Sequence, residues 1–98
     1  MQKVYKYPLP SSGCLIPMPQ GAKILKVDMQ GEVICLWAHV DTTQKLENRQ
    51  FLMAGTGHTL PDGLKLQHHG SLILHEATLV IHVFENLDYT EQQRGTTN

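Results

Sequence analysis

Hydrophobic and polar positions along this chain repeat with a period of two, and helical spacing is nearly absent. Val4–Tyr7 is a run of β-formers stopped by Pro8 and Pro10, which suits an edge strand because proline has no N–H to give a neighbour. Residues 11–21 mix Gly, Ser and Pro with the apolar anchors Leu15, Ile16 and Met18, and read as a loop. Ala22–Met29 alternates, with Lys23, Leu25, Val27 and Met29 on the expected inward face. Gln30-Gly31 turns that strand into Glu32–Val40, so the two form a hairpin. Val33–Ala38 is almost wholly apolar, which predicts a central strand covered on both faces.

Asp41–Asn48 is polar around a lone Leu46, and is either one helical turn capped by Asp41 or Thr42 or an extended loop. Arg49–Ala54 is the next strand, and it delivers its backbone into the turn Gly55-Thr56-Gly57-His58. A Pro/Asp/Gly loop follows over His58–Gly63. Leu64–Gln67 is a brief extension and His69-Gly70 a break. Ser71–His75 then pairs with Ala77–Glu85 across a reversal at Glu76. Thr78–Phe84 is the most apolar segment and belongs in the middle of a sheet. Residues 1–86 therefore form one β domain, and residues 87–98 are expected to be a polar, disordered tail. Six to seven short, mostly antiparallel strands between turn signals predict an all-β fold, a small sandwich or a partly closed barrel.

Composition narrows the function classes. The chain's 98 residues allow one domain, and eight basic against nine acidic side chains leave a net charge of −1. That balance argues against backbone-driven nucleic-acid binding, which needs an electropositive footprint, so no nucleic-acid partner is expected. The apolar runs are too short for a membrane-spanning helix. A charged fraction of only 17% leaves uncharged surface, and a homo-oligomer is expected. Residues 1–20 alternate charge and proline rather than forming a charged start and an apolar middle. The expected setting is cytoplasmic, with Cys14 and Cys35 as free thiols; a Cys14–Cys35 disulfide is the alternative.

The candidate chemistry centres on Gly55, Thr56, Gly57 and His58. Two glycines around a hydroxyl residue turn successive N–H groups outward. The Thr56 hydroxyl and the His58 ring add donors for a phosphate or carboxylate. The commoner use of such a turn is structural, with glycine taking positive φ. It is not a P-loop, since the spacing, the Lys-Ser/Thr pair and the following helix are missing.

Six histidines (His39, His58, His68, His69, His75 and His82) invite a metal, yet no two have the i, i+2 spacing that puts ligands on one strand face. The H-x-H of a cupin-like metal-dependent enzyme is absent, so no metal is expected and that enzyme is the third reading. His82 shares a face with Val80 and Phe84. It is either a core histidine held by a backbone carbonyl, Glu85 or Glu76, or a pocket histidine meeting a ligand. Trp37 shares a face with Val33, Cys35 and His39 and serves either as a core or interface anchor or as a platform for a purine. Ser11, Ser12 and Ser71 lack a nucleophile-elbow context, and Cys14 has no adjacent base. Acids fall mostly in turns, with Asp41 and Glu85 at strand ends. The reading is a non-enzyme without cofactor.

The segments YKYPL (5–9), PQGAKIL (19–25), CLWAHVD (35–41), GTGHTLP (55–61) and LVIHVFE (79–85) together resemble a family of small phage- and prophage-encoded proteins catalogued as a domain of unknown function. The resemblance runs from about Val4 to Glu85. It implies a cytoplasmic accessory protein of infection, acting by sequestering a nucleotide-type immune signal. The alternative is a protein–protein inhibitor of a host defence factor or a virion-associated structural module. The ligand would then be small and anionic, with its phosphate at Gly55–His58 and its base or sugar at Trp37 or His82.

Overall fold

The computed structural model describes residues 1–74 and 78–90. It contains β1 (Gln2–Pro8), β2 (Cys14–Pro19), β3 (Lys23–Gln30), β4 (Val33–Asp41), β5 (Leu46–Gly55), β6 (Leu66–Leu74) and β7 (Leu79–Asn86), with no helix among the described residues. The strands form two antiparallel sheets, ordered β1-β4-β3 and β2-β5-β7-β6. They face each other as a sandwich and do not close into a barrel, with β3 lying against β6 and β4 over β2.

The two most apolar segments hold the inner positions expected of them. β4 lies between β1 and β3, and β7 between β5 and β6. Alternation along each strand sends one set inward: Ile16 and Met18 from β2, Leu36, Ala38 and Val40 from β4, Phe51 from β5, Leu72 from β6 and Val83 from β7. Met18, Leu36, Phe51, Val40 and Val83 are fully buried. Each such side chain contributes about 1.5–3 kcal/mol relative to staying in water.

Four segment readings are corrected. Residues 11–21 are not all loop, since Cys14–Pro19 is a strand paired to β5. Prolines are tolerated there because β2 is an edge and has no partner beyond it. The strand expected over Arg49–Ala54 begins earlier, at Leu46, because Asp41, the last residue of β4, opens a tight turn that uses only the start of the polar segment: Thr43 donates to Asp41 Oδ1 from its backbone N–H (3.0 Å) and its hydroxyl (2.7 Å). On β3 the inward set is Ile24, Val27 and Met29, with Lys23 and Leu25 exposed, because a register shift between Ile24 and Lys26 reverses the phase. Leu66–Leu74 is one strand rather than two pieces. The break expected at His69-Gly70 is instead an extra residue, with His68 opposite Phe84 and Gly70 opposite Val83. The expected reversal at Glu76 and most of the expected tail lie outside the described residues. Within the tail, the Leu87 N–H donates to the Lys65 carbonyl (2.8 Å) and the Lys65 N–H to Asp88 Oδ2 (2.8 Å).

Candidate functional site

Two of the predicted site residues, Thr56 and His82, meet at the outward face of β7. Val83 and Glu85 point into the sandwich, so His82 and Phe84 project from the outer side of the β2-β5-β7-β6 sheet. His82 stands opposite Ala54 on β5 and Ser71 on β6. Its Nδ1 lies 2.7 Å from Ser71 Oγ and its Nε2 lies 2.8 Å from Thr56 Oγ1, at the end of β5. Ser71 Oγ is in turn 2.9 Å from His68 Nε2. Thr56, His82, Ser71 and His68 thus make one continuous hydrogen-bonded row across three strands. The His68 ring lies 5.3 Å from the ring of Phe84 and 6.5 Å from that of His82.

The row is self-consistent in two directions. In one, His68 Nε2–H donates to Ser71, Ser71 to His82 Nδ1, and His82 Nε2–H to Thr56, which leaves the Thr56 hydroxyl hydrogen to offer outward. In the other, every donor and acceptor exchanges and His68 Nδ1–H becomes the outward donor. Neither direction needs a charged imidazole. The satisfied-histidine alternative for His82 therefore has hydroxyl partners in place of a carbonyl or Glu85, and Glu76 lies outside the described residues.

The glycine turn behaves differently from the open anion nest expected. The Thr56 N–H donates to the Val80 carbonyl (3.2 Å) and the His58 N–H to the Gly55 carbonyl (2.9 Å), so both are spent inside the fold. Gly57 takes φ +87°, which only glycine adopts without strain. The His58 ring folds over Gly55 so closely that a Cβ there would meet it at 2.8 Å. What the turn presents outward is the Thr56 hydroxyl and the His58 imidazole. Trp37 does not join this group. Its neighbours Leu36 and Ala38 fill the core, so Trp37 projects from the outer face of the other sheet.

A second polar cluster was not anticipated. Arg49 on β5 is in phase with core Phe51, and Glu85 on β7 is in phase with core Val83. Both charges therefore enter the interior, with side chains 16% and 7% exposed. Arg49 Nε donates to Glu85 Oε2 and Nη2 to Oε1, each at 2.7 Å, while Nη1 donates to the Ala22 carbonyl at 2.6 Å. His69 Nε2 donates to Glu85 Oε1 at 2.8 Å. Burial pushes the Glu85 carboxyl up, but the hydrogen bonds from Arg49 and His69 outweigh it and hold its pKa at about 2. The signal was present in the sequence: a charge in step with apolar residues on two separate strands predicts a buried pair.

This cluster floors a polar cleft of about 350 Å³ lined by Asn48, Arg49, Gln67, Glu85, Asn86 and Tyr89, among others. The Tyr89 hydroxyl is buried there with no hydrogen-bond partner among the described residues. A second, mainly apolar cavity of about 610 Å³ lies at the β3–β4 hairpin end between Met29, Ile34, Ile73 and Leu74. None of the predicted site residues lines either one.

Among the described residues no group of three or more His, Cys, Asp or Glu side chains is placed to hold a metal. Cys14 and Cys35 are free thiols, and burial raises the pKa of Cys14. Among the described residues no helix is long and apolar enough to cross a membrane. Searches of curated proteins and of solved structures give no match. Residues 1–94 match the model of a family described as a domain of unknown function (DUF7352), and the chain belongs to that family.

Proposed function

We propose that this chain is a non-enzymatic binding protein for a small anionic, nucleotide-type ligand, taken on the outer face of the β2-β5-β7-β6 sheet. The observation that carries the reading is the row Thr56–His82–Ser71–His68. It is polar and continuous, and it is not needed to satisfy the core. An anion at the Gly55–His58 turn selects the direction in which the Thr56 hydroxyl donates outward, with the His58 ring beside it. The far end of the row, two strand spacings or about 10 Å away, carries the His68 and Phe84 rings, against which a base can lie. That span suits a nucleoside phosphate. Sequestration of a nucleotide-type immune signal in a phage setting follows from the resemblance described above and is part of this proposal.

The test is titration with adenosine and guanosine mono- and cyclic dinucleotides, followed by the imidazole ¹H–¹⁵N correlations. Binding should shift His82 and His68 signals together. Thr56→Val and His82→Ala should each weaken binding by about tenfold or more, the scale of a lost hydrogen bond to a charged group. Unchanged affinity in both variants overturns the site, and silence from every nucleotide overturns the ligand class.

A further inference from the structure

The β1-β4-β3 sheet carries an outer face whose composition differs from the rest of the surface. By register, Trp37 on β4 stands between Lys6 on β1 and Lys26 on β3, and the adjacent outward residue, His39, stands between Val4 and Lys23. Directly opposed residues on neighbouring strands have Cβ atoms about 5 Å apart. One half-buried indole and one exposed imidazole are therefore ringed by three exposed lysines on a single face, drawn from eight Lys and Arg in the whole chain. Asp28 and Asp41 are the acids in phase with them. Asp28 meets Lys26 at 3.4 Å with both side chains about half exposed or more, a surface pair that a phosphate can displace. Lys6 bonds the neutral amide of Gln30, so its charge is unneutralised.

We infer that this face binds single-stranded nucleic acid, with one base stacked on Trp37 and neighbouring phosphates held by Lys6, Lys26 and Lys23. The argument is charge complementarity joined to a π-platform, the combination by which sheet surfaces take unpaired strands without reading sequence. The net charge of −1, which spoke against a nucleic-acid partner at the level of composition, is outweighed by this placement, because association follows the local field rather than the total. Three lysines make the site small and its salt response shallow. Neutralising three phosphates of a single strand gives a slope of log K against log salt of about −2. This surface is separate from the row on the opposite sheet and stands or falls independently of it.

Trp37 is the only tryptophan, so its fluorescence reads this face directly. The experiment titrates the full chain with short oligothymidylate at low salt and repeats the titration at several salt concentrations. The expected result is quenching of Trp37 and a slope near −2. In Lys6→Ala/Lys26→Ala, affinity should fall by at least tenfold and the slope to about −0.7, one phosphate contact. Trp37→Leu should lose on the order of tenfold in anisotropy of a labelled oligonucleotide. A thermal melt confirms that the variants are folded, and the wild-type salt slope stands even if one is not. Four results each overturn the inference: no quenching, quenching without salt dependence, equal affinity for free thymidine monophosphate, or equal affinity for polyglutamate.

Discussion

Arg49 and Glu85 meet inside the sandwich in a two-pronged ion pair, both N–O distances 2.7 Å, on the diagonal between β5 and β7, where Glu85 stands opposite Phe51. Two consequences follow from burying a charge on each of two core-facing positions. Removing one partner leaves the other desolvated, so Glu85→Leu or Arg49→Met alone should cost about 3–5 kcal/mol. Replacing both together, Arg49→Met with Glu85→Leu, should cost far less. Urea unfolding of the four members of this cycle checks it; additive losses would show that the pair does not act as a unit.

Acid should unfold the protein through the same pair. Glu85 has an ordinary pKa of 4.5 and is held at about 2 in the folded chain. Its stabilisation is complete above 4.5 and is lost as pH falls from there toward 2, because protons then bind the unfolded chain first. The contribution is roughly 3 kcal/mol at neutral pH. Glu85→Gln should lower stability at neutral pH and flatten the acid limb of a stability–pH curve. An unchanged acid limb would assign the dependence elsewhere.

Gly70 lets the edge strands β3 and β6 approach. A Cβ on Gly70 would sit 3.2 Å from Val27 Cβ, an atom the backbone fixes and no rotamer change can move. Gly70→Ala should destabilise by about 1–3 kcal/mol. Adding Val27→Gly, which removes the opposing Cβ, should leave a smaller loss than the two single changes summed, visible as a coupling term in thermal or urea melts. Full additivity would mean the two do not touch.

The row on the outer face should be dispensable for folding. His82→Ala and Thr56→Val, made for the ligand experiment, should each change stability by no more than about 1 kcal/mol, since their polar atoms are left to water rather than buried. A loss of several kcal/mol would make the row structural.

Continuous apolar runs were enough to place β4 and β7 at the interior of their sheets, and Pro8 and Pro10 to place β1 at an edge. Phase failed where a residue is inserted, at Ile24/Lys26 and at His68/Gly70, since a register shift is a property of pairing and leaves no mark in one strand alone. Cys14–Pro19 was obscured by prolines, although Cys14, Ile16 and Met18 alternate correctly. Of the candidate site, Thr56 and His82 come together as the sequence reading placed them in one ligand site, while Ser71 and His68 join through β6 pairing that no local pattern reveals. Trp37 parts from them because adjacency in a ligand model says nothing about which sheet a strand enters.

The extra residue in β6 makes chain length itself a determinant of chemistry. Consecutive histidines separate there, His69 joining the buried ion pair and His68 the exposed row. Deleting His68 or His69 would restore a regular ladder with only one histidine, and both networks could not be kept. Losing one histidine there should therefore keep the ladder and cost one network, whereas a one-codon deletion within the regular stretch of β7 turns the residues beyond it to the opposite face and should cost the fold, a contrast that a deletion scan reads directly.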